Sequence, residues 1–174
     1  MPELKPISID AVGSALAKAE RYRLLNEPRE AESICRDVLE ADPDNQKAIA
    51  TLVLALTDQF GKGFGSDVTA PQRLLKNLRS EYDRAYYGGI ILERWGKAQL
   101  ARGAPGSIAA DWIRGALRSY ESAEAIRPQG NDDAILRWNT CVRMLRRELK
   151  PRWEANVPDS EIPPDGGDEE VPRV

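Results

Sequence analysis

At 174 residues the chain is long enough for one domain with a tail, and its 41% hydrophobic residues suffice for a core. The formal charge of -3 joins unlike parts, because the segment from Glu154 onward holds seven acids and one base and leaves the body slightly basic. No apolar run approaches the ~18 residues that span a bilayer, Met1 to Pro6 lacks the basic-then-apolar pattern of a secretory leader, and a chain without histidine and with only Cys35 and Cys141 predicts neither a metal site nor a disulfide framework. A cytoplasmic protein without a membrane partner or cofactor is the expectation, and both cysteines are expected to be small buried apolar residues.

The clearest unit runs from Val12 to Asn45, 34 residues in two helical patterns. Ala15, Leu16, Ala19, Tyr22 and Leu25 recur at three- and four-residue steps. Asn26-Glu27-Pro28 breaks the pattern: Asn tolerates the left-handed conformation at a helix end, and Pro suits a first turn. Ala31, Ile34, Cys35, Val38 and Leu39 form the second pattern, and Asp42-Pro43-Asp44-Asn45 stops it, since Pro cannot continue the hydrogen-bond ladder.

A second unit begins at Gln46, with Ala48, Ile49, Leu52, Val53 and Leu56 on its first helix. After the glycine-rich stretch 61–66, Thr69-Ala70-Pro71-Gln72 reads as a capping box, and Leu74, Leu75, Leu78 and Tyr82 mark a second helix. Tyr86 and Tyr87 then read as a new helix start. In the third unit Leu92, Trp95, Gly96 and Ala98 open a helix that Gly103 can cap. Ala116, Tyr120, Ala123 and Pro128 repeat the 4, 3 and 5 residue steps of Ala31, Cys35, Val38 and Pro43. A last helix starts at Asn131, a capping residue, with Asp132 and Asp133 in its first turn and Arg146, Arg147 and Lys150 in its last, as the helix dipole favours.

The predicted units are therefore 12–45, 46–88 and 89–130, followed by a solvating cap helix. The surplus length of the second and third units predicts a crest from residues 60–70 and 103–111, with Trp112 beneath it and Phe64 as a possible contact. Trp95 and Trp138 are predicted in the core. The domain spans 1–153; the segment 154–174, with Pro158, Pro163, Pro164 and Pro172 among its acids, is expected to be a disordered tail.

The helix pair closed by Leu39-x-x-Asp42-Pro43-x-Asn45, with Tyr22, Ala31 and Val38 at their places, resembles the tetratricopeptide-repeat (TPR) family. The likeness covers about residues 10–148, and the segment from Asn131 to Asn139 resembles uncharacterised bacterial TPR-like proteins. It implies an all-α solenoid of about three helix pairs and a cap. It further implies a protein-binding groove lined by the first helix of each pair. The groove residues on this reading are Leu16, Glu20 and Arg23; Lys47, Ala50, Thr51, Leu54 and Asp58; Ile90, Glu93, Arg94 and Lys97; and Asp133, Arg137, Thr140 and Arg143. The basic C-terminal half favours an acidic partner peptide or helix, gripped by Arg forks. The competing reading is a solvated face with local salt bridges, such as Glu93 with Lys97 at four-residue spacing. The two-carboxylate clamp of chaperone-tail TPR domains does not fit, because its five places hold Leu16, Glu20, Thr51, Ile90 and Arg94 and only the last matches. Gly61 to Ser66 is not a phosphate loop, since no Lys-Ser/Thr follows the last glycine.

No constellation of side chains at fixed spacing suggests catalysis, so an interaction module and not an enzyme is expected. A structural subunit of a larger assembly is the alternative. A nucleic-acid surface has only the run Arg143, Arg146, Arg147, Lys150 and Arg152 near Trp153 in its favour, and a pI of about 5.2 argues against it.

Overall fold

The structure, a computed structural model, describes residues 2–62 and 67–147. Phe64, Lys150, Arg152, Trp153 and the acidic segment 154–174 lie outside the described residues. Among those described there are seven α-helices and no strand: α1 (Val12–Leu24), α2 (Pro28–Ala41), α3 (Gln46–Thr57), α4 (Thr69–Leu74), α5 (Glu81–Ala101), α6 (Gly106–Ala125) and α7 (Asp133–Arg147). No described helix is long and apolar enough to cross a membrane.

The first hairpin forms where the breakers predict it. Asn26 takes φ 63°, and the Glu27 amide reaches back to the Tyr22 carbonyl at 2.9 Å, closing α1 with a left-handed cap. Pro28 opens α2. Asn45 serves both sides of the next turn: its Oδ1 accepts from the Ala48 amide at 2.9 Å and its Nδ2 donates to Asp42 at 2.9 Å. Asn45→Ala loses both bonds and is expected to cost about 1 kcal/mol in a urea melt. Ala31, Cys35 and Val38 on α2, and Ala116, Tyr120 and Ala123 on α6, are all fully buried, so the repeated register has the same packing role in both helices.

The middle of the chain departs from the expected units. α4 is one short turn and a half, prolonged by a 3-10 turn at Leu75–Asn77. Its amides at Thr69 and Ala70 are capped by the Asp67 carboxylate at 3.0 and 3.1 Å; Thr69 lies within the helix and is not its cap. The backbone then extends at Leu78, and Ser80 starts a new helix by accepting from the Asp83 amide at 3.1 Å. Arg84 holds the break by donating to the Leu78 and Arg79 carbonyls. The expected boundary between residues 88 and 89 thus falls inside α5, an unbroken helix of 21 residues, and Tyr82, Tyr86 and Tyr87 belong to it. The second part of the expected crest is also absent as a loop: residues 106–111 are already α6, and Gly103, at φ 86°, makes the short turn between α5 and α6.

Small residues let α5 and α6 approach closely. A Cβ on Gly89 would lie 2.5 Å from Tyr120 Cε1, and one on Gly96 would lie 3.0 Å from Trp112 Cβ. Ala109, Ala110, Ile113, Ala116 and Tyr120 fill the interface, and Ala134, Cys141 and Met144 of α7 close it from the other side. Trp95 packs edge-on between Phe60 and Trp112, with ring centroids 5.1 and 6.4 Å away. Trp138 is not a core residue, being 37% exposed: it sits on the outer side of α7, the last described helix, where no later described element covers it.

The N-terminal core (Leu16, Ala19, Ala31, Cys35, Val38, Ala48, Leu52) and the α5–α7 core are separate. A third cluster joins them, with Val53 and Phe60 against Ile91 and Ala98, flanked by Leu74 and Leu75. α3 therefore buries most of its circumference.

Candidate functional site

The residues expected to line a groove come together along α1, α3, α5 and α7, but most of the charged ones are already paired with one another. Lys47 of α3 meets Glu20 of α1 at 3.0 Å. Asp58, at the end of α3, takes Arg23 of α1 at 2.7 Å and Arg94 of α5 at 2.5 Å. Arg94 also donates to Thr57 Oγ1 at 2.6 Å and to the Leu54 carbonyl at 3.2 Å. One acid at a helix end thus fastens three helices. Burial lowers the pKa of Arg94 below the ordinary guanidinium value, and the charge of Asp58 opposes that shift.

A second network centres on Glu93, which is wholly buried. It accepts from Lys97 at 2.5 Å, from the Tyr120 hydroxyl of α6 at 2.6 Å, and from Arg137 of α7 at 3.4 Å. Burial pushes the Glu93 carboxyl up, but the hydrogen bonds from Lys97 and Tyr120 and the charges of Lys97 and Arg137 outweigh it, so Glu93 ionises below the usual 4.5. The Tyr120 hydroxyl is raised, first by burial and then by Glu93. Cys141, beside the same carboxylate, is pushed up to about 12 by burial and by that charge. Arg94, Lys97 and Arg137 are therefore structural cations before they can serve a partner. The solvated-face reading of Glu93 with Lys97 is right about the pair, although its acid is buried and not solvated.

Two hollows remain beside these networks. One of about 350 Å³ is lined by Glu20 and Arg23 of α1, by Lys47, Thr51 and Leu54 of α3, and by Asp83 and Tyr87 of α5. Of the residues expected on the first two groove helices, Glu20, Arg23, Lys47, Ala50, Thr51 and Leu54 meet there and Leu16 and Asp58 do not, and Thr51, 5% exposed, offers a partner little. The other, about 470 Å³, lies between the C-terminal parts of α5 and α7 and holds Lys97, Arg143 and Arg147 above Leu100, Ala101 and Met144. Leu16 and Ile90, expected in the groove, are buried in the core at 4% and 2% exposure.

Asp83, Tyr87 and Arg147 were not among the expected groove residues. Asp83 was hidden by the misplaced helix start, although Ser80 three residues before it is a capping signal. The role of Tyr120 could have been inferred, because a buried tyrosine hydroxyl needs a partner. Among the described residues no group of three or more acids and cysteines is placed to hold a metal ion. Comparison with protein-family models, with curated proteins and with solved structures finds no match to this chain.

Proposed function

We propose that the chain is a TPR-like α-solenoid, three helix pairs capped by α7, that works without catalysis as a docking module for a protein or peptide. The observation that carries this reading is the meeting of Glu20, Arg23, Lys47, Thr51 and Leu54 with Asp83 and Tyr87 around one hollow. Three first-of-pair helices contribute to it, as a stacked array of hairpins requires. The contacts of α1 with α3 and of α3 with α5, in addition to those between chain neighbours, support the same stacking. The basic hollow between α5 and α7 supports a partner with carboxylates.

Lys47 and Arg143 are the cations to reverse. Both are exposed, and the acid that Lys47→Glu would face, Glu20, can turn to water, whereas Arg94→Glu would set an acid against the part-buried Asp58 and Arg137→Glu one against the buried Glu93. A cross-linked pull-down with the full chain, read by quantitative mass spectrometry, is expected to lose its specific partners at least tenfold in Lys47→Glu/Arg143→Glu while helicity stays unchanged. If every specific partner stays bound, these hollows are not the docking surface.

A second reading, a subunit of a larger assembly, is favoured by the outer side of α7. Ile135, Trp138 and Val142 follow one another there at helical spacing and are all partly exposed. A molar mass above that of one chain, lost in Trp138→Glu, would favour it over a free docking module.

A further inference from the structure

The hollow between α5 and α7 differs from the one between α1, α3 and α5 in its charge balance. Several other surface cations sit beside acids, such as Arg36 with Glu32, Arg79 with Asp44, Arg114 with Asp111, and Arg127 with Glu124 and Asp132, and the hollow between α1, α3 and α5 mixes Arg23 and Lys47 with Glu20 and Asp83. Lys97, Arg143 and Arg147 face one cleft, and among the described residues no acid lines it. Lys97 is tied to Glu93 from beneath, but Arg143 and Arg147 form no ion pair among the described residues. The cleft also gathers the C-terminal ends of α5 and α7, whose partial negative charges these side chains offset. An anion would be held there by side chains and not by backbone amides. Leu100 and Met144 give the cleft an apolar floor.

The sequence supplies a matching occupant. From Glu154 it carries seven acids and one base, and this segment begins seven residues after Arg147, itself a wall of the cleft. Twelve residues from Arg147 to Asp159 reach at most about 40 Å when extended, more than the cleft requires. A ligand tethered at this distance has an effective concentration on the order of millimolar, so even weak ion pairs would keep the cleft filled.

We infer that the cleft between α5 and α7 holds carboxylates of the chain's own segment Asp159–Glu170. This does not depend on the docking reading above, because it is tested without a partner.

The test compares the wild-type full chain with a full chain in which Asp159, Glu161, Asp165, Asp168, Glu169 and Glu170 are changed to Asn or Gln. In methyl and amide NMR spectra at about 20 mM salt, differences are expected at Leu100, Thr140, Arg143 and Met144, and are expected to fade at about 500 mM, where the Debye length is only a few ångströms. A synthetic peptide of the sequence Asp159–Glu170 is then titrated into both. It should bind the neutralised chain at least fivefold more tightly than the wild type, and should lose that binding in a neutralised chain that also carries Arg143→Gln/Arg147→Gln. Coincident spectra at low salt overturn the inference. So does equal affinity of the peptide for both chains, which would leave the cleft open for an acidic partner. Differences that grow with protein concentration overturn it in favour of a second copy.

Discussion

Gly89→Ala is expected to cost about 3 kcal/mol, whereas Gly88→Ala, one residue earlier, is expected to stabilise the chain by roughly 0.5–1 kcal/mol. Both glycines lie within α5, so helix propensity alone favours alanine at each. The surroundings decide the sign. At Gly88 a Cβ would meet only Leu75 Cδ1 at 3.7 Å, an ordinary contact. At Gly89 it would meet three atoms of the Tyr120 ring at 2.5, 2.7 and 2.9 Å. The ring cannot swing away, because its hydroxyl is held by Glu93 and Ala116 and Ala123 pack around it. The helices must separate instead, and a core at native density resists that. In thermal melts the Gly89 variant should lose about 6–12 °C and the Gly88 variant should gain a little. Equal effects would mean that α5 and α6 do not meet at Gly89.

Removing the buried acid should have the next largest effect. Glu93→Ala leaves the Tyr120 hydroxyl without an acceptor and Lys97 and Arg137 without their counter-charge. Breaking a buried pair typically costs about 3–5 kcal/mol, but Lys97 and Arg137 keep 41% and 35% of their side chains exposed and can turn to water, so about 2–3 kcal/mol is expected. Glu93→Gln still accepts from Tyr120 and should cost less. A double-mutant cycle with Tyr120→Phe isolates the hydroxyl bond, expected at about 1–2 kcal/mol. The acid also predicts a pH dependence. Its folded pKa lies below the ordinary 4.5, so the unfolded chain binds the proton more readily. The stabilisation from this group is complete above the ordinary carboxylate range and fades as pH falls through 4.5 toward the lower folded value. Urea melts across this range should show the Glu93→Gln chain losing less stability on acidification than the wild type. Parallel losses would mean that Glu93 carries no linked proton.

The first hairpin was legible because its signals are local. Asn26 before Pro28 marks one turn, and Asp42-Pro43 with Asn45 marks the other; each acts through φ or through a missing amide hydrogen, whatever packs nearby. The phase shared by Ala31–Val38 and Ala116–Ala123 was legible because burial follows the helical period. The expected boundary between residues 88 and 89 split a glycine pair that lies inside α5. Here the pair serves the approach of another helix, a fact that only the partner residue, Tyr120, explains. Ser80 with Asp83 held the true start, but Leu78 and Tyr82 continue the apolar spacing across it and masked it. At the site, the pairing of Glu93 with Lys97 follows from one helical turn. The pairs Arg23–Asp58–Arg94 and Arg137–Glu93 depend on how far each helix slides along the next, which sequence spacing does not encode.

That α5 is one unbroken helix and not two pieces meeting at Gly88 turns it into a ruler. Asp83 and Tyr87 mark the mixed-charge hollow near one end, and Lys97 and Leu100 mark the basic hollow near the other. At 1.5 Å per residue Asp83 and Lys97 stand about 20 Å apart, a spacing fixed by backbone hydrogen bonds and insensitive to the loops. Any single molecule that touches both must bridge that gap, which takes about six residues of extended peptide or about fourteen of helix. Shorter ligands are confined to one end, so length alone can discriminate between classes of ligand.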